Sequence, residues 1–390
     1  MGQLILTQNS SVDTPASGAV ILANKNGSIV KKDYLGNEST LEPAKNRIIN
    51  GDMRINQRNP SASGATTTDG GYTVDRFFVS RGGDYGGTLT WTWDTDVPTV
   101  AQAGRVFTKS LKLLTTQDTT PGVTGYVLFH QNIEGYNIED ILGSSYNTGF
   151  TLSFWIKNSN IGTYCVAFRN SSGDRTYIAE YTINNANTWE KKTITVTSAP
   201  TGTWVAGNGL GLRISWTLVT GTDTDDGVNG SWVSTNEYGT ANQKNWADVA
   251  SNVWITGVQL EAGTSASNFE YRPYGQELAL CQRYCYVPTG SGTNSPIVAM
   301  GTFRSTTNCC VIIHLPVQLR NLPTLGITVG QWLVVDSTTA FTPSGVAVYA
   351  GSGLACVRLD FTVVGATLDR PAILLGDATG SRIMIFDAEL

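Results

Sequence analysis

Apolar and polar residues alternate with a period of two along most of the chain, the pattern of strands, whose successive side chains point to opposite faces. Over residues 88–93, Leu89, Trp91 and Trp93 share one face and Thr88, Thr90 and Thr92 the other. Over 150–156, Phe150, Leu152, Phe154 and Ile156 oppose Thr151, Ser153 and Trp155. The same alternation sets Ile194 with Val196, Leu212 with Ile214, Trp216 and Leu218, and Val357 with Leu359, Phe361 and Val363. Clusters of Gly, Asn, Asp and Ser, such as NSSGD at 170–174 and TDTDDGVNG at 222–230, mark turns between these runs. Strands joined by turns, without alternating helical segments, predict an all-β chain of antiparallel β-sandwich or jelly-roll domains rather than βαβ units.

Two segments depart from this pattern. Around Asn26-Gly27, a strong two-residue turn signal, the runs ILA and SIVKK predict a hairpin within residues 1–45. Such a hairpin does not stand alone and needs something to pack on. Within residues 272–287, Leu278, Cys281 and Cys285 recur at helical spacing, with Gly275 as a candidate cap and Glu277 in the first turn. The expected architecture is a segment 1–45, a central domain 46–274, a short connecting helix 275–287 and a C-terminal β domain 288–390. The helix packs either around a three-fold axis through Leu278, Cys281, Tyr284 and Cys285, or against a sheet of its own chain.

Composition narrows the function. The chain has 390 residues, enough for two or three domains, and needs no disulfide framework. Charged residues are 15% against a usual value of about 25%, while glycine is plentiful at 42, which fits turn-rich β structure. A net charge of −5 gives no basic footprint, so nucleic acid is not an expected partner. No apolar run reaches the roughly 18 residues of a membrane span, and the start lacks a secretory signal, so a cytosolic product without membrane insertion is expected. The six cysteines show no paired CxxC spacing and read as buried thiols. His130 and His314 are the only histidines, which disfavours His-based hydrolase chemistry. His314, alternating with Ile312 and Cys310, reads as a strand residue.

Several stretches carry a family likeness. TPASGAVILANKNGSIVKKDYLG resembles the opening of many bacteriophage fibre proteins. NRIINGDMRINQRNP, with the later YTVDRFFV, resembles the start of their central jelly-roll domain, which is carbohydrate-binding-module-like. FTLSFWIKN, TWEKKTITV, VQLEAGTSASNFEYRPYGQELALCQRYCYV, HLPVQLRNLPTL and the closing DAEL continue the likeness over nearly the whole chain. The resemblance implies a homotrimeric virion fibre, synthesised in the host cytoplasm and held by its N-terminal segment to a virion capsid or tail adaptor protein. Pro15, Gly18, Val20, Leu22, Asn26, Gly27, Ile29 and Tyr34 would form that attachment segment. The distal β domains would adsorb to a host cell-surface glycan or receptor. A head fibre or capsid decoration protein is the alternative, and a glycan-degrading spike a further one.

For glycan contact, the loop aromatics Trp204, Trp232, Tyr238 and Trp246 are the candidates, since aromatic faces stack on sugars while N–H and O–H groups bond hydroxyls. Trp91, Trp155 and Trp216 lie in alternating strands and read as core or sheet surface. Asp223, Asp225 and Asp226 lack calcium-loop spacing and read as a solvated turn. The jelly-roll likeness also points to Asp52 and Glu261 as the nearest acids to a structural calcium position; no metal, cofactor or catalytic residue is assigned. The missing fixed-period repeats and scarce histidine lead to the expectation that the chain is not an enzyme.

Overall fold

The computed structural model describes residues 8–9, 11–25, 28–33, 38–40, 45–59, 63–66, 70–117, 120–142, 149–197, 202–246, 251–288, 297–376 and 384–390. The upstream core is a β-sandwich. Its seven-stranded sheet runs in the order Ser231–Val233, Thr176–Ile183, Gly162–Arg169, Leu210–Thr220, Tyr126–Glu134, Phe78–Gly82 and Gly71–Tyr72. Its six-stranded sheet runs Glu190–Val196, Phe150–Asn158, Asn252–Ala262, Ser110–Gln117, Thr88–Asp94 and Ser63–Thr66. Neighbouring strands are antiparallel in both sheets.

The alternation works as the sequence predicts. Leu89 and Trp91, Phe150 through Ile156 at every second position, and Leu212 through Leu218 all enter one buried core. Aromatic rings lock the core: Phe154 of the six-stranded sheet meets Trp216 of the seven-stranded sheet edge-on with centroids 5.5 Å apart, and Phe77 stacks on Phe129 at 5.1 Å. Such pairs add roughly 0.5–1.5 kcal/mol each beyond the area they bury.

A second core lies downstream. A seven-stranded sheet there has the order Ala340–Phe341, Trp332–Val335, Pro371–Gly376, Ile297–Ser305, Asn308–His314, Cys356–Thr362 and Gly345–Val348. A three-stranded sheet joins Cys285–Tyr286, Met384–Asp387 and Thr324–Ile327. Phe303, Val311, Trp332, Leu359, Phe361 and Phe386 fill the space between them.

The helix spans Tyr274–Gln282, starting at Pro273 rather than at a Gly275 cap, and ends sooner than expected, because Cys285–Tyr286 pairs with Met384–Asp387. Cys281, Tyr284 and Cys285 are fully buried within one chain. Cys281 and Tyr284 cluster with Ile49 and Ile55, and Leu278 packs on the same group. Three of the four side chains expected at an axis, Cys281, Tyr284 and Cys285, are thus covered within their own chain, as the intramolecular alternative expects, while Leu278 stays partly exposed. Five of the six cysteines are buried, and all six are free thiols.

Residues 46–59 form a largely buried seam. Asn50, at a φ of 60°, uses its amide to hold the carbonyls of Ile55 and Asp75, and Glu277 accepts from its backbone N–H. Arg58 reaches across to Asp387 (2.7 Å) and Glu389 (3.0 Å), and Arg76 pairs with Glu389. Arg283 and the Tyr284 hydroxyl both bond Glu134. These contacts tie the sandwich, the helix and the C-terminal strand together.

At the N-terminal end, Gln8–Asn9, Val20–Lys25, Ser28–Asp33 and Glu38–Thr40 form a four-stranded sheet rather than a lone hairpin. Val20 faces Asp33 and Lys25 faces Ser28, the register of a two-residue loop. Val20, Leu22 and Ile29 are exposed, Pro15 is half-buried, and Gly18 is exposed at positive φ. Asn26, Gly27 and Tyr34 lie outside the described residues.

Candidate functional site

The outward face of the six-stranded sheet holds a groove of about 680 Å³. Its floor is Ser153 and Trp155 from Phe150–Asn158, Lys191 from Glu190–Val196, and Gly257 from Asn252–Ala262. One lip is the short helix Val100–Ala103 with Gly104 and Arg105, and the other is Asn268 with Phe269.

The floor depends on an irregular register. Between Ser153 and Trp155 the pairing with Asn252–Ala262 shifts, and Gly257 occupies the bulge at a φ of 62°. A Cβ at Gly257 would lie 2.8 Å from the Phe107 ring and 3.0 Å from Trp155. Only glycine meets both demands, the left-handed backbone and the close approach of two rings. The bulge seats Phe107 beside Trp155, which stays half-exposed to the groove.

The lip is equally fixed. Thr99 and Gln102 close a capping box on the helix start, and Gly104 at a φ of 68° ends it. Arg105 then donates to the Phe269 carbonyl (2.6 Å) and lies over the rings of Phe107, Phe269 and Tyr271. Phe107 and Phe269 meet edge-on at 5.4 Å. A smaller hollow of about 210 Å³, lined by Asp52, Arg54, Arg105, Phe107 and Tyr271, continues past Arg105. Burial draws the Lys191 ammonium below its usual range, and Glu261 opposes that shift. Burial likewise raises the Asp52 carboxyl, with Arg54 beside it acting the other way.

A half-exposed indole floor, edge-on phenyl rings, two amides, a hydroxyl and two cations form a surface that can stack a flat apolar face and bond hydroxyls around it. Elsewhere on the same sheet face the tryptophans are already committed. Trp254 donates to Asp94 (3.0 Å) under Lys157, and Trp189 donates to Asp96 (3.0 Å).

The four loop aromatics do not converge. Trp246 is fully buried in the sandwich core, and its placement there removes it as a surface contact. Tyr238 is also buried, with its ring 5.1 Å from Tyr126 on the seven-stranded sheet. Trp204 and Trp232 meet at 5.5 Å and, with Tyr177, cap the edge strand Ser231–Val233 as partly buried packing. Trp155, read from its strand position as core or sheet surface, is the indole at the groove. The capping-box spacing of Thr99 and Gln102 is the sequence feature that would have marked its lip. Asp52 is paired with Arg54 (2.5 Å), and Glu261 accepts from Ser267 and Gln259, so both carboxylates have protein partners. His130 is buried, and burial, then Arg213 and Arg169, hold it far below the usual imidazole range.

No known family model matches the chain, and no curated protein matches it. Among solved structures it is similar to the enzymatically active domain of bacteriophage CBA120 tailspike protein 4, at 17% identity over 57% of this chain, with a TM-score of 0.28. The aligned part spans 22% of that tailspike chain. It is also similar to a CBM4 structure, at 15% identity over 55% of this chain and 97% of that one, with a TM-score of 0.28. A third is the family 11 carbohydrate-binding module from Clostridium thermocellum in complex with a β-1,3-1,4-mixed-linked tetrasaccharide. That likeness has 11% identity over 53% of this chain and 100% of that one, with a TM-score of 0.26.

Proposed function

We propose that this chain is a glycan-binding β protein whose ligand lies in the groove across Trp155. The observation that carries the reading is the half-exposed Trp155 floor between two structured lips, with Lys191, Gln102 and Asn268 in the lining around it. Among the described residues the groove lining carries no carboxylate, and its side chains offer stacking and hydrogen bonds. This supports a binding role.

The biological setting follows the sequence resemblance: a virion fibre, attached through its N-terminal segment and working as a homotrimer against the host surface. Several copies on one particle raise effective concentration, so weak binding per site suffices. Deleting residues 1–45 should leave assembled protein that no longer joins particles, and normal incorporation would refute that attachment role. The binding role is tested by cell-surface polysaccharide pull-down with Trp155→Ala. Retained binding by a folded variant would refute the groove.

A further inference from the structure

The opposite face of the sandwich carries a charge arrangement that the groove does not use. Arg169 and Arg213 stand directly opposite each other in the antiparallel pairing of Gly162–Arg169 with Leu210–Thr220. Asn132 continues the same row on Tyr126–Glu134. Directly opposed side chains start about 5 Å apart at Cβ, and like charges so placed destabilise a sheet.

Several other arginines of this chain are neutralised. Arg58, Arg76, Arg272 and Arg283 each meet a carboxylate. Arg169 and Arg213 form no ion pair among the described residues. Arg169 donates to the Asn236 side chain and lies 5.2 Å over the Tyr238 ring. Arg213 donates through Nε to Asn132 Oδ1 at 2.8 Å. Asn132 gives its own amide to the Leu390 carbonyl, so its oxygen is fixed toward Arg213. The charged and titratable groups around Arg213 are Arg169, Tyr238, Tyr72 and Tyr126, and His130 beside them is held neutral. Two cations thus meet beside several aromatics, and among the described residues neither forms an ion pair.

We propose that Arg169 and Arg213 bind an oxyanion, the carboxylate or phosphate of an acidic saccharide, with Tyr126 as the flanking aromatic face. Two guanidinium groups side by side suit planar or tetrahedral oxyanions through paired N–H donors. The ligand removes the repulsion that the empty register leaves. The inference deepens the glycan reading by naming its charge class and rests on that reading for the saccharide part. It stands on a different sheet from Trp155, so the two fail separately.

The test is thermal unfolding of the full chain with sodium glucuronate, sodium phosphate or neutral glucose, each matched in ionic strength with sodium chloride. Glucuronate or phosphate should raise the Tm of the wild-type chain by a few degrees at concentrations well above Kd, and glucose should leave it unchanged. The larger of the two responses identifies carboxylate or phosphate as the group. Arg213→Gln should unfold no earlier than wild type without anion and should lose the anion response. Arg169→Gln provides the same reading should the first variant not fold. No anion-specific rise in the wild type, or an equal rise in a folded variant, would overturn the site.

Discussion

The sandwich and the C-terminal unit are built by the same strand alternation but present opposite outward faces. In the sandwich, the face behind Trp155 is polar, cationic and aromatic, with Lys112, Lys157, Lys191, Trp155 and Trp254 along it. In the C-terminal seven-stranded sheet, Met300 pairs in register with Ile312 and with Ile373, and Ile297 with Leu375. Met300 is 71% exposed and Ile297 67%, and Leu375 pairs onward with Leu333. Arg358, opposite Ile312 in register, pairs with Asp360 at 2.8 Å. Alternation decides which residues are buried; it leaves open what the other face is for. A polar aromatic face suits a ligand, whereas an apolar, charge-neutral face suits a protein surface.

Changes on the two units should therefore fail in different ways. The largest effect expected is from Trp246→Ala, which empties a core site and should cost about 3–5 kcal/mol, read by denaturant unfolding. A loss of sugar binding with unchanged stability would instead return Trp246 to the surface. Met300→Glu, on the exposed apolar stripe of the C-terminal sheet, should leave stability nearly unchanged, read by the same denaturant unfolding, because the side chain is already 71% exposed. A large loss would place Met300 in packing. Trp155→Ala should weaken glycan binding about tenfold or more, about 1.4 kcal/mol, with little change in Tm. Gly257→Ala should reduce binding through the same groove by forcing the bulge and the Phe107 ring apart, read by the same titration.

The smallest effect is a pH term in the C-terminal unit. The backbone N–H of Thr338, then those of Thr339 and the side chains of Thr338 and Arg370, lower the Asp336 carboxyl from 3.8 to about 2. A carboxyl lowered on folding contributes stability above its unfolded value, lost as pH falls from about 4 toward 2. Asp336→Asn should flatten the acid limb of stability across that window, and an unchanged limb would contradict the assignment.

Much of the fold was legible because burial has period two. The runs through Leu89, Phe154, Trp216 and Phe361 needed only their own neighbours to be read correctly. The site was less legible because it depends on a register slip. Trp155 alternates like any strand residue, and only the bulge at Gly257, set by pairing with a strand about a hundred residues away, gives it a groove. Trp246 shows the converse. Polar neighbours mark a loop, but they do not say that the loop carries its indole into the core. The packing of the helix was hidden for the same reason: Ile49 and Ile55, more than two hundred residues upstream, bury its Cys281 side.

The groove is tested most directly by the indole N–H resonances of the ten tryptophans during titration with host-envelope oligosaccharide. The account predicts that the Trp155 signal moves with saturation while those of Trp216, Trp246 and Trp332 stay in place. Movement confined to Trp204 and Trp232, with Trp155 unchanged, would contradict it.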